Sequence, residues 1–223
     1  MAPVLLLAFD TATPAVTVAL HDGAQVLAAH TEIDARRHGE LLSPGIRAVL
    51  AEAGRDRREL TDIAVGVGPG PFTGLRVGLV TARALGDALG IAVHGVCTLD
   101  ILASAVRFDG PFAVATDARR REVYWARYTA PDQRITDPAV DWPAAVAPQV
   151  AGLPVAGEGA VKYPEAFESA IEPVYPNAAD LAELAVRQLS AGTELLEPLP
   201  LYLRRPDAVE PGARKPVSQP ALR

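Results

Sequence analysis

Two aspartates are the side chains whose placement in this sequence could do chemistry. Asp10 ends the apolar run from Val4 to Phe9, and Asp117 ends the run from Phe112 to Thr116. Each is followed by a polar turn, with Thr11 next to Asp10, and then by a second alternating strand. The carboxyl end of a strand in an α/β sheet is where functional groups are presented to a cleft. A matched pair across such a cleft would hold Mg²⁺ and a nucleotide; the alternative is that each carboxylate accepts backbone N–H groups in its own turn.

Other chemistries find little support in the residues. The Gly/Pro turn Gly68-Pro69-Gly70-Pro71-Phe72-Thr73-Gly74 lacks the Gly-Lys-Ser/Thr of a P-loop, and Pro69 and Pro71 remove two N–H donors that would line an anion nest. The histidines are His21, His30, His38 and His94, and no two stand three to five residues apart on a predicted helix. Four positions after His38 comes Leu42, so that helix carries no metal pair. There is no Gly-x-Ser-x-Gly, and Cys97 lies in an apolar stretch suited to a buried, inert thiol. A single cysteine also excludes a disulfide framework and a Cys-based zinc site. No catalytic residue and no metal site is assigned.

The elements that position the aspartates follow from periodicity. Val4 to Phe9, Val16 to Leu20 and Gln25 to His30 read as a three-stranded meander, with Asp22-Gly23 as a type I′ hairpin signal. Leu42, Ile46, Val49, Leu50 and Ala53 form one buried stripe of a helix that Gly54 ends. Ile63 to Val67 is a buried strand feeding the Gly/Pro turn, and a helix follows that is apolar around most of its circumference. Along it Gly74, Gly78, Ala82, Gly86 and Gly90 recur every four residues, a smooth stripe that invites close contact with an internal neighbour or a partner protein. Ile91 to Val96 is a further strand, and Thr98 a candidate cap for a helix to about Val106.

Asp109-Gly110-Pro111 marks a boundary, after which an apolar strand, a terminal Asp, a polar turn and a strand from Glu122 to Tyr128 repeat the opening plan. The expectation is an α/β protein of two related lobes: residues 1–108, then 109–203 with the second lobe reduced, then a Pro-rich tail at 204–223. In the second lobe Val155 to Gly159 reads as a strand and turn, Tyr163 to Ile171 as a short helix begun by Pro164, and Asn177 as the cap of a helix from Ala178 to Leu189. The tail carries Arg204, Arg205, Arg214, Lys215 and Arg223 against Asp207 and Glu210, a net of five minus two, and is expected to be a flexible end or an arm touching a phosphate-bearing partner. The whole chain of 223 residues has a net charge of −6, which argues against its holding nucleic acid alone. No signal peptide precedes Asp10, and Arg76, Arg83 and Asp87 interrupt the central helix too often for a membrane span. A cytoplasmic location fits.

Several of these stretches together resemble the TsaB (YeaZ) family. They are Leu7-Ala8-Phe9-Asp10-Thr11-Ala12-Thr13, His38, the run Gly66 to Gly78, Gly95-Val96-Cys97-Thr98-Leu99, Asp117-Ala118-Arg119 with Glu122-Val123-Tyr124, and Pro200-Leu201-Tyr202-Leu203-Arg204. The resemblance implies the actin-like, sugar-kinase-like ATPase fold. It implies a non-catalytic subunit needed for threonylcarbamoyl transfer to N6 of the adenine beside the anticodon of tRNA, acting by dimerising with a catalytic paralogue, TsaD. That paralogue has a His-x-x-x-His pair where this chain has His38 and Leu42. The family also pairs with itself when alone, is joined by the small ATPase TsaE, and meets tRNA through the complex. ATP and a metal are used by the complex, not by this chain alone. On this analogy Leu42, Ile46, Val49, Leu75, Gly78, Leu79, Ala82 and Gly86 become the expected partner interface, and Asp10, Thr11 and Asp117 a vestigial nucleotide cleft. The competing expectation is an enzyme: a metal-dependent glycopeptidase-like hydrolase or an ATP/Mg-using phosphotransferase working through Asp10 and Asp117.

Overall fold

Two β-sheets with one strand order form the frame. The structure, a computed structural model, describes residues 4–204. The first half holds β1 (Leu6–Asp10), β2 (Ala15–His21), β3 (Val26–Ile33), α1 (His38–Glu52), β4 (Asp62–Gly66), α2 (Phe72–Leu89), β5 (Ala92–Val96) and α3 (Thr98–Ala105). The second holds β6 (Phe112–Asp117), β7 (Val123–Ala130), β8 (Gln133–Arg134), β9 (Ala139–Asp141), α4 (Pro143–Val146), β10 (Val155–Ala156), α5 (Glu158–Lys162), β11 (Ala170–Ile171) and α6 (Ala178–Ser190).

The sheets run β3-β2-β1-β4-β5 and β11-β10-β6-β7-β8. Within each, the first strand pairs antiparallel with the second and parallel with the fourth, as Phe9 does with Val18 and Val65, and Val114 with Ala126 and Ala156. Asp10 and Asp117 therefore end equivalent strands, and the duplication read from the order of elements is real in space. The second copy is smaller, with strands of two residues where the first has five.

Because both faces of the first sheet are covered, β1 and β2 are buried at every position rather than alternating. Leu7, Phe9, Val18, Ile63 and Val65 pack under α1 and α2, while Leu6, Ala8 and Ala64 pack on α6. Here the expected lobe division needs correction. α6, assigned to 109–203, crosses back onto the first sheet, and α3, assigned to 1–108, packs Leu99, Leu102 and Ala103 against Phe112 and Val114 of the second. Each lobe is completed by a helix from the far side of the boundary, which strengthens their union. The segment after α6 adds to this: Gly95 and Leu196 exchange backbone hydrogen bonds at 2.7 and 3.1 Å, and Arg204 pairs with Glu122 and donates to the Ala118 carbonyl at 3.2 Å. The rest of the tail, 205–223, lies outside the described residues.

Smaller expectations divide. Asn177 caps α6, its side chain accepting from the Ala179 N–H at 2.9 Å, and Gly90 ends α2 in the left-handed region at φ 67°. The Asp22-Gly23 turn is not type I′: only Gly23 has positive φ, and the Asp22 carboxylate accepts from the Ala24 and Gln25 N–H groups. Tyr163 to Ile171 is not a helix. The helix comes earlier, as α5, and stops at Lys162 because Pro164 disfavours helical backbone at Tyr163. Thr98 is not a cap; it is the first residue of α3, and its hydroxyl is used elsewhere.

Candidate functional site

β1 and β4 lie side by side, and their ends carry Asp10 and Gly66. A Cβ on Gly66 would sit 1.7 Å from Asp10 Oδ2, so glycine is what leaves room for that carboxylate. Asp10 is wholly buried, with Oδ1 accepting from the Ala12 N–H at 2.6 Å and Oδ2 from the Thr98 hydroxyl at 2.6 Å. Burial pushes its pKa above the ordinary carboxylate value, and the two hydrogen bonds pull the other way. Thr98 Oγ1 also accepts from the Gly68 N–H at 3.2 Å, and the Thr98 N–H donates to the Gly68 carbonyl at 2.7 Å. Asp10 is thus the pin that holds the Gly/Pro turn to the end of β5.

Asp117 is the equivalent pin of the second sheet. Its Oδ2 accepts from Lys162 Nζ at 2.7 Å, and its Oδ1 from the Arg119 N–H at 3.2 Å. Between the lobes lies a cleft of about 210 Å³ lined by Thr11, Thr13, His38, Thr73 and Gly74 of the first half and Arg119 of the second. Neither aspartate lines it. Thr11 does, but its hydroxyl donates to the Gly74 carbonyl at 2.8 Å, and the His38 ring is hydrogen-bonded to the Thr13 carbonyl at 2.8 Å. A hard divalent cation needs carboxylate oxygens that reach it, which neither aspartate supplies to this cleft, and a nucleotide-sized ligand takes a cleft of about 300 Å³ or more. The residues present do not fit a Mg²⁺–nucleotide pair. Among the described residues no group of three or more His, Cys, Asp or Glu could hold a metal ion, and no helix is long and apolar enough to cross a membrane.

The expected partner stripe turns out to be internal. Leu42, Ile46, Val49, Leu75, Leu79 and Ala82 all belong to the core under α1 and α2, and Gly78 and Gly86 are buried. The reason is close approach within the chain. A Cβ on Gly74 or Gly78 would meet Thr11, at 2.4 Å from its carbonyl oxygen and 2.5 Å from its hydroxyl, and one on Gly86 would meet Val93 Cγ2 at 2.4 Å. The neighbours that the smooth stripe admits are the β1–β2 turn and β5.

What α2 offers to solvent is the opposite face: Phe72, Arg76, Val80, Arg83 and Ala84, with Val80 66% exposed. At its start Phe72 packs on Tyr202 with ring centroids 5.0 Å apart, and Arg76 lies over both rings while donating to the Tyr202 hydroxyl at 2.8 Å. α1 beside it exposes Glu40, Ser43, Pro44, Arg47 and Ala48. Sequence reading missed Thr98, Lys162 and Arg119 as site residues. Thr98 carried a signal, a hydroxyl directly beyond the end of β5; Lys162 carried none, because it meets Asp117 from 45 residues away. Cys97 is buried as expected, and burial pushes its thiol up to about 12.

Comparisons with known proteins agree with this geometry. Residues 26–179 match the family model of TsaD, tRNA N6-adenosine threonylcarbamoyltransferase. An uncharacterized protein of Mycobacterium leprae is 48% identical over 212 residues, 92% of this chain and 56% of that protein. TsaB of Escherichia coli K12, a tRNA threonylcarbamoyladenosine biosynthesis protein, is 40% identical over 127 residues, 55% of this chain and 54% of that one. The matches span about half the length of these two relatives. The solved structure of YeaZ from Pseudomonas aeruginosa superposes with a TM-score of 0.78 at 34% identity, covering 90% of this chain and 100% of that chain. The fold shared with it is a duplicated α/β one, two sheets of one strand order with helices packed on them. With the motifs of both sheets in place and the match to YeaZ covering all of that chain, this chain belongs to the TsaB (YeaZ) family.

Proposed function

We propose that this chain is a non-catalytic subunit in the synthesis of threonylcarbamoyladenosine on tRNA. In this reading it supports a TsaD-like catalytic paralogue that transfers the threonylcarbamoyl group to N6 of the adenine beside the anticodon. Family membership supports the pathway, since the E. coli relative is named for that biosynthesis. The observation that carries the non-catalytic role is Asp10: both its oxygens are engaged within the chain, and its exposure is zero. Leu42, buried four residues after His38, leaves α1 without a second histidine at the i+4 position. In the complex, ATP and the metal then belong to other subunits.

The chain works by contact. The surface it offers is the exposed side of α2, Phe72, Arg76, Val80 and Ala84, with the neighbouring face of α1. Val80 is an aliphatic side chain left in water, and covering such a surface is favourable on association. The same face would pair two copies when the paralogue is absent, and a TsaE-like ATPase and tRNA would join the assembled pair. The test is reconstitution of tRNA modification from purified subunits, with this chain omitted and then restored. Product that requires the chain supports the proposal; equal yield without it defeats it. The competing hydrolase or phosphotransferase reading is separated by calorimetry of the chain with ATP and Mg²⁺, where binding lost in Asp10→Ala would favour it.

A further inference from the structure

The β6–β7 connection, Ala118-Arg119-Arg120-Arg121-Glu122, holds three consecutive arginines in the left-handed region, at φ 61°, 53° and 63°. None is glycine, and a residue so held persists only where the surroundings over-determine it; such strain concentrates at binding sites. The surroundings here are fixed. Asp117 before the arginines is bonded by Lys162 at 2.7 Å, with the Arg119 guanidinium more loosely paired to it at 3.9 Å, and Glu122 after them is paired with Arg204, so cations from other elements are the nearer partners of both flanking acids. All three arginines are exposed.

Next to them stands the most exposed large apolar side chain among the described residues. Trp142, just before α4, is 67% exposed, and its indole N–H donates to Glu122 Oε1 at 3.2 Å. The ring is held at its edge while most of its surface remains in water. Arg120, Arg121, Trp142, Pro143, Tyr163 and Glu165 line a concavity of about 400 Å³, two cations against one carboxylate, and Arg119 lines the interlobe cleft. An indole and a phenol ring among guanidinium groups is the surface that single-stranded nucleic acid requires: a π-face for a base and cations for the phosphates around it.

We propose that this hairpin and Trp142 form a docking surface for unpaired RNA, one base stacking on the Trp142 ring and the flanking phosphates meeting Arg119 and Arg121. The inference rests on the reading of the chain as a tRNA-modification subunit. It locates on this subunit a binding surface for the nucleic acid that the assembly must hold. A net charge of −6 makes the interaction a local one, which orients an RNA and does not supply the whole affinity.

The experiment uses the full chain and a short fluorescein-labelled single-stranded RNA of mixed adenine and uracil, followed by anisotropy at low salt and by tryptophan emission. The only other tryptophan, Trp125, is 5% exposed, so quenching by RNA reports Trp142. Saturable binding is expected, with quenching that is absent in Trp142→Ala, and an affinity that falls at least about 5-fold in that variant. Arg121→Gln should flatten the salt dependence by about 0.7 in log–log slope for each phosphate it no longer neutralises. A wild-type chain that does not bind, or variants that bind as it does, would overturn the proposal. So would a poly-glutamate peptide that binds as tightly as the RNA and displaces it, since the occupant would then be an acidic protein. Circular dichroism of both variants establishes that they are folded. The subunit-omission test is independent of Trp142, so the docking surface can fail while the function stands.

Discussion

Gly78→Ala tests the assignment of the smooth stripe of α2 to the interior. In an unconstrained helix this change stabilises, by about 0.8–1.0 kcal/mol. Here the new Cβ would lie 2.5 Å from Thr11 Oγ1, well inside contact distance. Thr11 cannot turn away without giving up its buried 2.8 Å hydrogen bond to the Gly74 carbonyl. That loss costs about 1–3 kcal/mol when a buried group is left unsatisfied, and forcing a carbon into a packed region costs about 1–3 kcal/mol more. The gain is outweighed, and the net loss is about 3 kcal/mol. At an m-value of about 2–3 kcal/mol/M this lowers the urea midpoint by about 1–1.5 M. Equilibrium urea denaturation of the isolated chain, followed by circular dichroism, makes the measurement. Val80→Ala, on the exposed side of the same helix, should move the midpoint by less than about 0.3 M, since surface changes stay near 0.5 kcal/mol. If Gly78→Ala leaves the midpoint in place and instead abolishes association with a partner, the stripe faces outward and its assignment to the interior fails.

Three further outcomes follow from the site. Thr98→Val keeps the shape but takes a donor from the buried Asp10 carboxylate and an acceptor from the Gly68 N–H; the expected loss is about 3 kcal/mol, read from the same urea curves, and a loss under about 1 kcal/mol would show that Asp10 does not pin the turn. Cys97, with its thiol pushed up to about 12, should react with a thiol-specific disulfide reagent at about pH 8 at least about 10³-fold more slowly in the native chain than in the denatured one; comparable rates would place the thiol in solvent. His21 accepts from the Gly23 N–H at Nδ1 with a 2.9 Å hydrogen bond, and burial lowers its pKa against the opposing pull of Asp22 and Glu183. The unfolded chain therefore binds this proton more readily. The contribution is present above the ordinary histidine value of about 6.5 and is lost as pH falls through the folded one. His21→Asn, which keeps an acceptor that does not titrate, should lose stability less than the wild type between about pH 7.5 and 5.5, and equal losses would assign the pH dependence elsewhere.

The order of elements was legible in the sequence because apolar periodicity is a local signal. The continuous apolar runs of β1, β4 and β6, the Gly54 and Gly90 helix ends and the Asn177 cap are all written within a few residues of where they act. So was the duplication, down to the equivalence of Asp10 and Asp117. What the sequence hid was direction. A helix apolar on most sides does not say which side meets the sheet, and the Gly74-Gly78-Ala82-Gly86 stripe fits a partner's helix as well as the Thr11 turn and Val93 it meets. The return of α6 to the first sheet was hidden for the same kind of reason: its stripe of Leu181, Ala182, Leu184 and Ala185 specifies a buried face without naming what buries it. Asp117 meeting Lys162, and Glu122 meeting Arg204, depend on chain paths that only the assembled sheets define.

In the proposed function the chain acts through the exposed face of α2 and performs no chemistry at Asp10. Val80→Asp and Asp10→Asn, each verified as folded, would be compared in a reconstituted reaction with the catalytic paralogue, with partner association followed by sedimentation and threonylcarbamoyladenosine in tRNA by mass spectrometry. Val80→Asp is expected to lose both association and product, while Asp10→Asn keeps both. Product lost in Asp10→Asn with association intact, or product retained in Val80→Asp without association, would contradict it.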